Sequence, residues 1–141
     1  MLAWSSVIAS HWVPPNREIL RFYAQTAAAA IAPESPLVFL LAHLNNVLAG
    51  VAEVALSETK AAGLYNVMTL PAHRYRGVAS ALVEAAIEVA QRRGMQTLEL
   101  QSTPAAFRIY ASRGFQHEGD WRLKVGNHGV EAAARSGRGA A

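Results

Sequence analysis

One stretch constrains this chain more than any other. Leu64–Leu70 is apolar and strand-like and is stopped by Pro71. Arg74-Tyr75-Arg76-Gly77-Val78-Ala79 follows, and then a helical pattern runs to about Arg93. Its apolar positions Val78, Leu82, Ala86 and Val89 share one side, while Ser80, Glu84, Glu88 and Arg92 share another. Gly94 stands where a helix-ending glycine belongs. A strand feeding a helix through a short basic turn demands a sheet with a helix packed on it. The same turn puts free N–H groups and the positive end of a helix dipole at one point. Gly77 admits close backbone approach, small Ala79 keeps the next turn open, and Arg74 and Arg76 add charged donors. Such a turn suits a pyrophosphate, although a plain basic helix start explains the same residues. No Gly-Lys-Ser/Thr follows and no G-x-G-x-x-G is present, which excludes the two commonest nucleotide loops.

The flanking segments fill in the sheet. Asn16 reads as the N-cap of a helix with Ile19, Phe22, Tyr23, Ala27 and Ala30 at helical spacing, ended by Pro33 and Pro36. Leu37–Leu44 reads as a strand, Asn45-Asn46 as a tight turn, and Val47–Leu56 as the partner strand with a bulge near Gly50. Thr97–Gln101 reads as a strand. Thr103 and Pro104 start a helix that runs through Tyr110 to about Ser112, with Gly114 ending it. Phe115–His117 and Trp121–Val125 are short strands. Residues 1–125 are expected to form one domain, and residues 126–141, rich in Gly, Ala and Arg, a tail with a mobile end. The resulting class is α/β (α+β), with a mixed, mostly antiparallel central sheet flanked by helices.

Composition narrows the function. At 141 residues the chain suits a single domain, and with 52% apolar and 16% charged residues it is too apolar to be disordered. It has no cysteine, which excludes disulfides and a thiol nucleophile and suits a reducing cytoplasm, the expected compartment. His11, His43, His73, His117 and His128 show no metal-binding spacing, so no metal is expected. No apolar run reaches the roughly 18 residues of a membrane span. Met1–Ser10 is apolar but has no basic residue before its apolar part, a poor match to a signal peptide. The net charge is +3, with most Arg residues from Arg74 onward. Arg favours phosphate, but no basic-aromatic interleaving points to nucleic acid.

A second feature lies further on. Ala106 and Tyr110 are four apart and share a helix face ahead of Gly114-Phe115. The small residue leaves room for a ligand, and a phenol with a pKa near roughly 10 remains a proton donor at neutral pH. An ordinary amphipathic core tyrosine fits the same pattern. Taken together and in this order, the two features resemble the GNAT acetyltransferase superfamily over about residues 37–117. Arg74-Tyr75-Arg76-Gly77-Val78-Ala79 is similar to its R/Q-x-x-G-x-G/A signature, and Tyr110-Ala111-Ser112-Arg113-Gly114-Phe115 to its Y-x-x-x-G-F block.

The resemblance implies an acetyl-CoA-dependent N-acetyltransferase with splayed central strands. It implies that the backbone of Val67, Met68 and Leu70 pairs with the pantetheine arm and polarises the thioester. Arg74, Arg76, Gly77, Val78 and Ala79 hold the pyrophosphate, Ala106 leaves space, and Tyr110 protonates the departing thiolate. A primary amine attacks directly, so no enzyme nucleophile is needed. The expected partner is a small-molecule or peptide amine, with no nucleic acid or membrane. The competing reading is a non-catalytic acyl-CoA-binding or protein-interaction module.

Departures from the family pattern stand out. Thr103 occupies a position where many members carry Asn. No carboxylate lies on Leu64–Leu70; Glu53, Glu58 and Glu99 are the substitutes, each more simply read as a surface carboxylate. His43, His73 and His117 read as structural or exposed, and Trp4, Trp12 and Trp121 as core or acceptor-pocket residues. Both ends look short for the fold, which would leave an open sheet edge that favours a homodimer.

Overall fold

The computed structural model describes the backbone of residues 1–125 and 130–140 and the side chains through residue 120. His128 and the first residues of the expected tail lie outside the described residues, as does the Trp121 side chain. Two helices lead, α1 (Leu2–Ala9) and α2 (Arg17–Ala30). Strands β1 (Leu37–Leu44), β2 (Val47–Leu56) and β3 (Ala61–Thr69) follow. Then come a single tight turn at Pro71–His73, α3 (Val78–Arg92), β4 (Thr97–Ser102), α4 (Phe107–Ala111), β5 (Gln116–Val125) and β6 (Val130–Ala140). The six strands form one sheet in the order β1-β2-β3-β4-β6-β5. All neighbours are antiparallel except β3 and β4.

Local chemistry accounts for the elements. The Asn16 side chain accepts from the Glu18 and Ile19 amides and starts α2. Asn45 and Asn46 take φ of 52° and 63°, which fits the β1–β2 hairpin. The register slip falls between Ala42 and His43, so Ala49 is the extra residue beside Gly50. A Cβ on Gly50 would lie 2.6 Å from the Met68 carbonyl, so the position needs glycine.

One face of the sheet carries α3. Leu82, Val83 and Ala86 bury against Ala52, Val54, Leu64, Leu98 and Leu100. The other face carries α1 and α2. Trp4 is fully buried there, donates from Nε1 to the Ala52 carbonyl at 3.0 Å, and meets Tyr23 and Phe39 edge-on.

Several expectations change. Met1–Ser10, read from the sequence as an apolar stretch, is largely a helix: it carries no charge, and Ser5 is buried with Trp4, Val7, Ile8 and Ala9, so no polar stripe marks the exposed face. The helix expected from Pro104 begins at Phe107. Thr103 Oγ1 accepts from the Ala106 amide at 3.3 Å, so it caps a turn and not the helix itself. The two short strands at 115–125 are one strand, β5, with a slip between His117 and Gly119. Residues 130–140, expected as a tail, form β6 between β4 and β5. The outer edge of β4 needs a partner, and backbone pairing with small residues supplies it. The ten- and eleven-residue strands β5 and β6 also remove the impression of a shortened C-terminal pair.

Candidate active site

The site begins where two strands part. β3 and β4 pair only from Ala61↔Thr97 to Leu64↔Leu100. Beyond that the strands diverge. The cause lies in β3: between Glu53↔Tyr65 and Val51↔Met68 it carries one extra residue, and Asn66 sits at φ 54°. The bulge bends β3 away from β4. A cavity of about 320 Å³ fills the gap, lined by residues including Asn66, Val67, Ser102, Thr103, Ala106 and Tyr110.

A larger cleft of about 590 Å³ adjoins it on the α3 side. Thr103 and Ala106 line both spaces, so the two adjoin. The cleft runs over the start of α3, where Gly77 takes φ 80° and no side chain caps the helix. The amides of Val78, Ala79 and Ser80 precede the first helical bond, from the Ala81 N–H to the Gly77 carbonyl, and stand free at the positive end of the dipole. A Cβ on Gly77 would meet nothing within 4 Å, so the backbone there is open to a ligand. Arg74, Gly77, Val78, Ala79 and Ala106, all expected at this site, line the cleft. Arg76 does not. Tyr75 lines it, fully exposed and at φ 58°, an uncommon conformation for an aromatic residue.

A family model for the acetyltransferase (GNAT) family matches residues 4–115. The chain belongs to the GNAT acetyltransferase family. It is therefore an acyltransferase by family. Solved structures share the fold at low identity. An Escherichia coli ribosomal-protein alanine N-acetyltransferase is 24% identical, with a TM-score of 0.67, covering 82% of this chain and 75% of that one. A Bacillus subtilis acetyltransferase in complex with CoA is 16% identical at TM-score 0.68, covering 99% and 91%. A spermidine N-acetyltransferase from Vibrio cholerae is 16% identical at TM-score 0.70, covering 88% and 74%. No curated protein matches the sequence.

The strand geometry corrects the assignment of backbone donors in this GNAT chain. The Leu70 amide donates to the Ala49 carbonyl at 2.9 Å, and the Leu70 carbonyl accepts from the His73 amide at 2.9 Å. Both groups are spent inside the fold. Residues of an antiparallel strand alternate in the side toward which their N–H and C=O point. Met68, two residues before Leu70 and opposite Val51, therefore also pairs with β2. Val67 and Thr69 turn their main chain toward the gap. Of the three residues expected there, Val67 alone turns its main chain to the gap, and Thr69 does so as well. The side chains of Met68 and Leu70 pack under α1.

Two hydroxyls mark the lining. Thr69 Oγ1 and Ser102 Oγ are buried without a hydrogen-bond partner. Thr69 lines the larger cleft and Ser102 the gap. Buried polar groups normally find partners, so these two fit a polar ligand threaded between the strands. With the open helix start, they make the site suitable for the pyrophosphate and amide-bearing arm of CoA.

Tyr110 is 7% exposed and lines the gap. Burial raises its pKa above the ordinary 10.0, which keeps the phenol protonated at neutral pH. Its ring meets Phe115 edge-on at 5.9 Å. The Arg113–Glu84 ion pair at 2.9 Å ties α4, which carries Tyr110, to α3.

The carboxylates expected as substitutes separate. Glu58 is exposed in the β2–β3 turn at the paired end of the strands, away from the gap. Glu99 sits opposite Gly63 in the paired part of β4 and lines neither space. Glu53 accepts from Asn66 Nδ2 at 3.1 Å and so adjoins the gap. His117 pairs with Asp120 at 2.9 Å. His73 stands in the turn with Nδ1 buried, and His43 lies on edge strand β1. Trp4 is core, whereas Trp12 is open to solvent beside Tyr23 and Asn66. Among the described residues no three His, Asp or Glu stand close enough to hold a metal, and no helix is long and apolar enough to cross a membrane.

Proposed function

We propose that the chain is an acetyl-CoA-dependent N-acetyltransferase that acetylates a primary amine by direct transfer. One observation carries the reading: the phosphate-suited cleft at α3 and the gap lined by Tyr110 adjoin, with Thr103 and Ala106 lining both. A single ligand that carries both a nucleotide and a reacting thioester suits two such adjoining spaces.

The start of α3 and Arg74 bind the pyrophosphate. The main chain of Val67 and Thr69, left unpaired by the splay, aligns the pantetheine arm as an added strand. A main-chain N–H at Val67 polarises the thioester carbonyl, where negative charge grows as the amine attacks. The C–N bond forms as the C–S bond breaks. Tyr110 gives its proton to the sulfur and is re-protonated by the proton that the nitrogen loses, so the enzyme returns unchanged.

Thiol release from acetyl-CoA, followed against a panel of primary amines with the acetylated product identified by mass spectrometry, tests this. Amine-dependent thiol release with matching amide is expected. Tight CoA binding with no transfer to any amine would leave a binding module instead.

A further inference from the structure

We propose that the Tyr75 ring is a stacking platform for the adenine of CoA, held in the open by the turn that leads into α3. This rests on the reading above that the cleft takes CoA.

Tyr75 lines the cleft with its side chain fully exposed and its backbone at φ 58°. Both features are unfavourable in the free protein. The left-handed region crowds the Cβ of any residue but glycine. Asn45, Asn46 and Asn66 take the same region with short polar side chains that tolerate it, which a tyrosine does not have. A fully exposed ring also packs on nothing in the fold that would offset the strain. A lone aromatic on a surface needs no explanation. One held on a strained backbone along a ligand cleft does, and such strain is kept where a ligand uses it.

Place and charge name the part of the ligand. Thr103 and Ala106 line both the cleft and the gap, whereas Tyr75 lines the cleft alone. It precedes Gly77 by two residues, so it stands beside the pyrophosphate position and not beside the thioester. CoA continues past its pyrophosphate into a phosphorylated ribose and an adenine, the molecule's one aromatic group. Arg74 and Arg76 flank Tyr75, which puts the ring in a cationic stretch suited to a base that carries phosphates. A base stacks readily on an open aromatic face.

Titration calorimetry of the full chain with CoA reads the contact without turnover. Tyr75→Ala should weaken CoA about tenfold, equivalent to about 1.4 kcal/mol. Tyr75→Phe restores the ring and should recover the affinity to within about twofold. 4′-Phosphopantetheine, which has the arm but no adenine, should compete equally well in wild type and Tyr75→Ala. Tyr75→Gly relieves the backbone, so it should bind CoA as weakly as Tyr75→Ala and unfold at or above the wild-type temperature. A CoA affinity unmoved by Tyr75→Ala overturns the stack. So does an equal loss for 4′-phosphopantetheine, an equal loss in Tyr75→Phe, or a lower unfolding temperature in Tyr75→Gly. Transfer to no amine, with these CoA results intact, overturns the transferase reading and leaves the stack standing. A wild-type chain that does not bind CoA overturns both.

Discussion

The Leu70 amide donates to the Ala49 carbonyl at 2.9 Å, and this bond sets the parity of the end of β3. Because the strand alternates, Thr69 and Val67 face the gap while Met68 and Leu70 serve β2. Thr69→Val then removes a buried hydroxyl that lacks a partner while keeping its shape. The free protein should gain about 1 kcal/mol, since an unsatisfied buried hydroxyl costs about that much or more. The KM for acetyl-CoA should rise a few-fold. Thermal unfolding and steady-state kinetics on one preparation check both parts. A destabilised variant would mean that the hydroxyl is satisfied within the fold.

Tyr110 adjoins the gap from α4, and its burial keeps it protonated. Tyr110→Phe keeps the ring and its contact with Phe115 but loses the proton. Turnover should fall by about 100-fold, within the range for losing a general acid. The KM for acetyl-CoA should change little, the mark of an interaction made chiefly in the transition state. Full activity in the variant would remove Tyr110 from the chemistry.

The same burial links stability to alkaline pH. The folded-state pKa of Tyr110 lies above its ordinary value of 10.0, and that of Tyr23 is raised too, first by burial and then by Glu53. The folded protein therefore holds these protons more tightly than the unfolded chain. Their contribution is complete below pH 10 and is lost as pH rises toward the folded pKa values. The denaturant midpoint should hold steady from pH 8 to about 9.5 and fall beyond about pH 10. The fall should be shallower in Tyr110→Phe. A midpoint that rises across this window would reverse the sign.

Trp4 joins the N-terminal helix to the sheet through Ala52, Tyr23 and Phe39. Trp4→Ala should cost about 3–5 kcal/mol, the usual range for truncating a buried aromatic. Chemical denaturation measures it. A loss under about 1 kcal/mol would mean that α1 packs only loosely on the sheet.

The features visible in the sequence are those with local causes. Asn16, the Asn45-Asn46 turn, Gly77, Gly94 and Gly114 each announce a cap or turn by residue type, and all but Asn16 adopt positive φ. The periodic helix α3 and the pyrophosphate-suited turn were readable for the same reason. What was hidden depends on partners far along the chain. Trp4 says nothing about Ala52 until the sheet exists. β6 carries a run of small residues without alternation, and only the open edge of β4 explains it. The exchange of Thr69 for Met68 and Leu70 needed the strand parity. One signal was available: Met68 and Leu70 are the larger apolar residues and Thr69 the polar one between them, as expected when alternate side chains pack under a helix.

The central claim is direct transfer between two substrates bound together, and the initial-velocity pattern tests it most directly. With acetyl-CoA and the amine varied together, and release of CoA thiol as the readout, the account predicts intersecting double-reciprocal lines. It also predicts one acetylated amine per thiol and no acetyl group retained on the protein. Parallel lines with an isolable acetyl-enzyme would show a covalent intermediate and contradict it.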